Sequence, residues 1–146
     1  MANETDSRAI ATSRLIEAPR DRVFEAFRDP AQLAQWWGPK GFTNTIYEFD
    51  LRPGGNWRFV MHAPKGGDFP NESVFVEVVE PELVVIRHDS TPPFELTITF
   101  AEEDGKTLVG WRQVFQTNDE RDRVAKFAVE ANEQNLDRLA AVVTHA

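Results

Sequence analysis

Few side chains in the sequence could move a proton, and His88 is the first candidate among them. A histidine acting as a general base needs a carboxylate to orient its ring and a substrate within hydrogen-bond reach. Asp89 is adjacent, but successive side chains of a strand point to opposite faces, so it is badly placed to orient His88. Glu77 is the other titratable residue that a cavity could use. An acid–base enzyme is therefore an alternative interpretation.

Other catalytic chemistries lack their residues. The sequence contains no cysteine, which excludes thiolate catalysis, disulfides and zinc–thiolate sites. His62 and His88 could bind zinc together with Glu72 or Glu77, but their spacing matches no metal motif. The glycine pairs join strands and do not open helices, so no phosphate-binding loop is expected. We predict no metal site and no cofactor.

Aromatic side chains offer binding surface instead: the sequence has eleven Phe, four Trp and one Tyr. Phe carries no polar group, so this composition favours filling or lining an apolar interior. Trp57, Phe59 and Met61 would share one face of a strand. Trp36 and Trp37 end a short helix beside a Gly-Pro pair. For all of these residues, packing in the core and lining a pocket remain alternatives.

Polar groups occur at three places among apolar ones. Gln113 shares a strand face with Trp111 and Phe115, and an unpaired buried amide costs about 1–3 kcal/mol, so Gln113 needs a partner. Asn132 and Asn135 lie near the apolar stripe of a helix, where Asn is unfavourable and indicates a specific use. A hydrogen bond to water or to another part of the protein is the first interpretation, and a ligand contact is the second.

These residues together predict a ligand-binding cavity with no catalytic residue assigned. Its lining would come from the end of a short helix, from inward strand faces and from a long helix. The predicted lining residues are Trp36, Trp37, Trp57, Phe59, Met61, Phe75, Ile86, His88, Leu96, Ile98, Trp111, Gln113, Phe127 and Asn135.

The elements that must position these side chains follow from periodicity and turn residues. A first strand at 8–17 is followed by a short helix opened by Pro19 and by a second at 31–37. Alternation then predicts six strands. They lie at 43–51, 56–62, 72–79, 83–89, 94–100 and 106–116, with a Gly- and Pro-rich loop at 64–70. Thr117-Asn118 caps a final helix roughly 40 Å long, whose apolar stripe runs from Val124 through Phe127 to Val143.

This order predicts an α+β fold: a curved antiparallel sheet wrapped around one long C-terminal helix, with two short helices after the first strand. The sheet has one apolar face to cover, and the last helix is the only element large enough to do so. A single helix cannot fill the concavity of a strongly curved sheet. A pocket is therefore expected between them.

Charge excludes some partners. The formal net charge is -8, and no cluster of Lys and Arg is available to contact phosphates, so we expect no nucleic-acid partner. No apolar stretch approaches the roughly 20 residues of a membrane span, and the first twenty residues lack a signal-peptide pattern. We expect a cytoplasmic protein without membrane insertion.

Residues 1–7 are predicted to form a disordered tail, and residues 8–146 are predicted to form a single domain.

Several motifs resemble one known family over nearly the whole chain. They are Pro19–Phe24, Asp29-Pro30, Trp36–Pro39, Arg52–Phe59, Pro70-Asn71, Pro81-Glu82 and Leu136–Leu139. The chain resembles the START-like (SRPBCC) superfamily, and within it the branch named after the activator of the heat-shock protein 90 ATPase. The spacing of Trp-Trp-Gly-Pro and Pro-Gly-Gly is the most specific part of the likeness.

The resemblance implies the helix-grip fold, in which a curved sheet grips a long helix around a cavity. It implies hydrophobic-ligand binding in most members and catalysis in a minority. Ala131 and Asn135 stand where the family commonly has Gly and Thr, so the cavity is expected to be narrower here. The co-chaperone activity belongs to larger members with an additional domain, and it is not carried over.

Three functions remain open at this point. The leading one is binding of a small hydrophobic molecule, lipid-like or aromatic, by a monomer or homodimer. The second is a cyclase- or hydrolase-type enzyme using the same cavity, which would need a titratable cavity residue with a perturbed pKa. The third is a chaperone-associated interaction domain, which would need a large exposed apolar patch. The residues favour binding over catalysis.

Overall fold

A computed structural model describes residues 7–90 and 93–144. Of the predicted tail, only Ser7 lies within this part, and its hydroxyl donates a hydrogen bond to Asn118 Oδ1 (3.0 Å). The helices are α1 (Arg20–Arg28), α2 (Pro30–Trp36) and α3 (Asn118–Thr144). The strands are β1 (Ala9–Ile16), β2 (Thr43–Phe49), β3 (Asn56–His62), β4 (Asp68–Val79), β5 (Leu83–His88), β6 (Phe94–Glu103) and β7 (Lys106–Phe115).

The strands form one seven-stranded antiparallel sheet in the order β1-β7-β6-β5-β4-β3-β2. The strands from β2 to β7 follow one another as a meander, and β1 pairs along the far side of β7. Register shifts interrupt the pairing between Ile46 and Glu48 and between Phe75 and Glu77. Such bulges bend a strand and increase its twist, so they curve the sheet around α3. The α+β helix-grip prediction is confirmed.

Local sequence explains how the two short helices begin and end. Pro19 precedes the first residue of α1, and the backbone N–H of Asp29 closes that helix on Glu25 O. The Asp29 carboxylate then accepts from Ala31 N (3.0 Å) and caps α2. Pro30 occupies the first turn, where its missing N–H costs nothing, so α2 starts one residue before the predicted position.

The segment predicted as a loop at 64–70 is shorter than expected. Gly66 and Gly67 take positive φ angles of 97° and 104° and turn the chain. The chain then pairs again at once, because β4 starts at Asp68, opposite His62. Pro70 therefore lies inside a strand, opposite Val60. The tight turn made by two glycines decides this boundary, although Pro70 suggested a loop.

The concave face of the sheet packs against α3. The inward residues of β7 alternate with more exposed ones, as the sequence pattern indicated. Helix α3 contributes a buried face with helical spacing, made by Val124, Ala128, Asn132, Asn135, Leu136, Leu139 and Val143. Phe127, assigned to that stripe from the sequence, is 63% exposed.

Arg138 fastens α3 to the chain that leaves α2. Its guanidinium donates to backbone carbonyl oxygens at 2.8–3.2 Å, namely those of Gln35, Trp37, Gly38, Pro39 and Phe42. Of these carbonyls, that of Gln35 lies in the last turn of α2 and the others follow the helix, so the side chain helps to cap α2 from another helix. Burial lowers the pKa of Arg138 from its ordinary value, but the group stays charged at neutral pH.

We expect Arg138→Lys to lower the free energy of unfolding by about 1–2 kcal/mol. Lysine keeps the charge but lacks the planar fork of donors that reaches several carbonyls at once, and hydrogen bonds to charged groups contribute about that much. Urea denaturation at neutral pH, read as the transition midpoint at unchanged slope, measures the difference.

The matched control is Arg14→Lys, because Arg14 also contacts α3, through Glu133 (2.9 Å) and Asp137 (2.6 Å). Exposed ion pairs of this kind contribute about 0–1 kcal/mol, so the control should lose less stability. Equal losses in the two variants would contradict a capping role for Arg138.

Candidate functional site

A cavity of about 410 Å³ lies between the concave face of the sheet and the first half of α3. Strands β3 to β7 supply one wall, and α3 supplies the opposite wall. The segment that follows α2 closes one side with Trp37, Gly38, Pro39 and Phe42. This volume falls within the usual range of small-molecule sites.

The deepest part of the wall is aromatic. The ring of Trp57 stacks on Phe59 (centroids 4.4 Å apart) and meets Trp37 edge-on at 4.7 Å. Trp37 also lies 5.5 Å from Trp111. The indole N–H groups of Trp57 and Trp111 are buried and donate to no acceptor within the described residues. Packing between rings therefore determines these positions, at the expense of two unpaired donors.

The cavity reaches the surface beside exposed aromatic side chains. Phe69 is 52% exposed and Phe127 is 63% exposed, and both line the cavity. Phe42 lies 6.5 Å from Phe69 between ring centroids. These three residues come from β4, α3 and the segment after α2, and they form an apolar mouth.

A polar pair interrupts the apolar lining. Asn132 Nδ2 donates to Gln113 Oε1 (2.7 Å), which joins α3 to β7. Both side chains line the cavity and both are buried, with 8% of Gln113 and 7% of Asn132 exposed. The partner that Gln113 requires is therefore a neighbouring side chain, which was the first of the two interpretations.

Asn135 holds the wall beside Trp37. Its Oδ1 accepts from Gly38 N (3.2 Å) and its Nδ2 donates to Trp36 O (2.9 Å). Gly38 has a φ of 96°, and a Cβ there would come within 2.6 Å of Met61 Cε. Met61 belongs to β3 and its methyl is the flexible end of the side chain, so the positive φ, which side chains rarely adopt, is what favours glycine here. Here too the asparagine bonds within the protein.

His88 lies at the end of β5, where it lines the cavity. Its Nε2–H donates to Asn71 Oδ1 (2.7 Å), and its ring stacks on Phe94 with centroids 4.4 Å apart. Asp89 bonds to Arg87 instead, and this hydrogen bond lowers the pKa of the Asp89 carboxyl. The hydrogen bond of the adjacent carboxylate therefore goes to Arg87, and the charge interaction with His88 is a smaller cause of the same lowered pKa.

The structure brings most of the predicted lining residues together. Those that line the cavity are Trp37, Trp57, Phe59, Met61, Ile86, His88, Leu96, Trp111, Gln113, Phe127 and Asn135. Trp36 lies in the core, 1% exposed, and its indole donates to Ala26 O. Phe75 and Ile98 are buried in the same core and lie outside the lining. Glu77, considered for acid–base chemistry, is exposed on β4.

Further lining residues were not in the predicted set. They are Gly38, Pro39, Phe42, Phe69, Asn71, Ser73, Phe94, Val124, Ala128, Ala131 and Asn132. Helical spacing from Phe127 and Asn135 provides a signal for Val124, Ala128, Ala131 and Asn132. The residues after α2 carry no comparable signal, because irregular chain has no periodicity.

The described residues show neither a membrane-spanning helix nor a metal centre. No helix in that part of the chain is long and apolar enough to cross a membrane. Across 7–90 and 93–144, no three His, Asp or Glu side chains converge to hold a metal ion.

Comparison with known proteins places the chain. Residues 17–144 match the model of the family described as Activator of Hsp90 ATPase homolog 1-like protein. A crystal structure from Chromobacterium violaceum is similar over 95% of this chain and 99% of that one, with 27% identity and a TM-score of 0.82. A crystal structure from Nitrosomonas europaea is similar over 94% and 95%, with 20% identity and a TM-score of 0.86.

An AHSA1-like protein from Aeromonas hydrophila, solved by NMR, is similar over 93% of this chain and 92% of that one, with 24% identity and a TM-score of 0.76. No curated protein matches the chain. The match to the family model covers most of the sequence and agrees with the fold. The chain therefore belongs to the Activator of Hsp90 ATPase homolog 1-like family, a branch of the START-like helix-grip proteins.

Proposed function

We propose that this protein binds a small apolar molecule, lipid-like or aromatic, in the cavity between the sheet and α3. The observation that carries the proposal is the cavity itself, about 410 Å³ and lined mainly by aromatic and aliphatic side chains. Moving apolar ligand surface from water into such a site is favourable by about 25 cal/mol per Å². We place this function in the cytoplasm, as the sequence suggests.

The route into the cavity supports the same proposal. Phe69 and Phe127 are large, exposed and apolar, and both border the opening. Exposed aromatic residues at a mouth give an apolar ligand a surface that it can contact before it enters. The ligand would then pass between β4 and α3, toward Trp57 and Trp111.

The catalytic alternative has less support in this cavity. It requires a titratable group beside the substrate, and His88 is the one such side chain that lines the cavity in the described part of the chain. Its Nε2 bonds to the Asn71 amide, and Asp89 is bound to Arg87. A general base must offer a ring nitrogen to the substrate, and Nε2 of His88 is occupied by Asn71 Oδ1. These contacts favour binding.

Filling the cavity should abolish uptake of an apolar probe. We expect wild-type protein to bind the neutral dye N-phenyl-1-naphthylamine with a rise in fluorescence. Ala131→Phe should raise the dissociation constant of the dye at least about ten-fold. Ala131 lines the cavity on α3, and a phenyl ring there occupies ligand space. A fluorescence titration at constant protein concentration measures both dissociation constants.

The control is Val129→Phe, which adds a ring on the same helix at a residue that is 51% exposed and does not line the cavity. Its dye affinity should equal that of the wild type. Dye binding that survives in Ala131→Phe, or a wild-type protein that takes up no dye, would contradict the proposal.

Protein purified from its own source should carry a ligand. Native mass spectrometry is expected to show a bound species of small mass at near-stoichiometric occupancy. Extraction under denaturing conditions should then release an apolar compound, because its affinity depends on the folded cavity. Ala131→Phe from the same source should lose that species. Full retention of the species in this variant would place the ligand elsewhere on the protein.

A further inference from the structure

The cavity contains four side-chain amides, and two of them are committed to the protein. Asn71 uses its oxygen for His88 Nε2 and its nitrogen for Phe69 O. Asn135 uses its oxygen for Gly38 N and its nitrogen for Trp36 O. Both groups thereby position the cavity wall. They have little hydrogen-bonding capacity left for a ligand.

The pair formed by Gln113 and Asn132 differs. A single hydrogen bond joins them, from Asn132 Nδ2 to Gln113 Oε1. The Gln113 amide nitrogen and the Asn132 amide oxygen have no hydrogen-bond partner within the described residues. If both amide groups are flipped by 180°, the pair still has one free NH2 group and one free oxygen, because each side chain carries both a donor and an acceptor.

These two free groups face the cavity. Gln113 is 8% exposed and Asn132 is 7% exposed, and both line this one space. Within the described residues, some polar side-chain atoms are fully enclosed and have no hydrogen-bond partner, and these belong to other residues, among them Trp57 and Trp111. The free groups of Gln113 and Asn132 are not enclosed in this way. A free donor and a free acceptor therefore lie side by side on an otherwise apolar wall.

The charge of the lining restricts what can bind there. In the part of the chain that the structure describes, no Lys, Arg, Asp or Glu lines the cavity, and the titratable lining residue there, His88, bonds to Asn71 and stacks on Phe94. The Arg138 guanidinium, which lies against the segment after α2, is engaged with backbone carbonyls, and Lys40 of that segment is exposed and does not line the cavity. An ionised head group buried in this site would lose its hydration without gaining an opposite charge. The site therefore selects for an uncharged molecule.

We infer that the ligand carries an uncharged polar head with a hydrogen-bond acceptor next to a donor, of the carboxamide or lactam type, and that Gln113 and Asn132 bind this head. The Gln113 amide nitrogen donates to the carbonyl oxygen of the ligand. The N–H group of the ligand donates to Asn132 Oδ1. The apolar body of the ligand lies against Trp57, Phe59 and Trp111. This inference rests on the proposed function and specifies the chemical class.

A series of naphthalenes that share one ring system tests the head group. The probes are 2-naphthamide, 2-naphthoate and 2-methylnaphthalene, each titrated at pH 7 by displacement of N-phenyl-1-naphthylamine. We expect the amide to bind at least about ten-fold more tightly than the methyl compound, equivalent to about 1.4 kcal/mol. The carboxylate should bind most weakly of the three. A carboxylate that binds best, or an amide equal to the methyl compound, would overturn the inference.

The double variant Gln113→Leu/Asn132→Leu assigns the preference to residues. Replacing both partners by apolar groups leaves neither amide unpaired, so this change suits a buried pair better than a single replacement. The variant should bind 2-methylnaphthalene as tightly as the wild type or more tightly. It should lose the preference for the amide. A preference that persists would overturn the assignment to this pair.

Gln116→Leu serves as the matched control, since Gln116 is an exposed glutamine just after β7 and does not line this cavity. It should retain the full preference for 2-naphthamide. Retained methylnaphthalene binding shows that the double variant is folded with its cavity intact. If no member of the series binds the wild type, the proposed function fails; if all bind without discrimination, only the present inference fails.

Discussion

A single helix of 27 residues covers the concave face of a seven-stranded sheet, and the rest of the structure depends on this constraint. The second half of α3 fits closely, with Leu136, Leu139 and Val143 in the main core. Along the first half, Ala128 and Ala131 present small side chains that line the cavity. The cavity is the space that one helix cannot fill.

Keeping such a space open requires a rigid frame, because apolar walls otherwise collapse to bury more surface. Polar contacts supply the frame. Arg138 and Asn135 tie α3 to the segment after α2, and the bond between Asn132 and Gln113 ties α3 to β7. Hydrogen bonds fix distances more strictly than apolar contacts do. These hydrogen bonds keep α3 at a fixed distance from the aromatic wall of the cavity.

The same polar groups link architecture to recognition. Asn135 is used fully by the protein, whereas the amides of Gln113 and Asn132 are only partly used. A buried amide that is half satisfied is costly in an otherwise apolar wall. The ligand that we propose, with a complementary neutral head, would remove this cost.

The sequence alone determined the order of elements and the inward faces, because period-two alternation and turn residues are local properties. It placed Trp57, Phe59 and Gln113 toward the interior. Only the tertiary structure decided which inward residues face open space: Phe75 is packed in the core, although its alternation is as clear as theirs. Phe27 of α1 packs against Phe75, so the distinction depends on which helix covers each part of the sheet. That is a contact between segments far apart in the chain, and no local pattern encodes it.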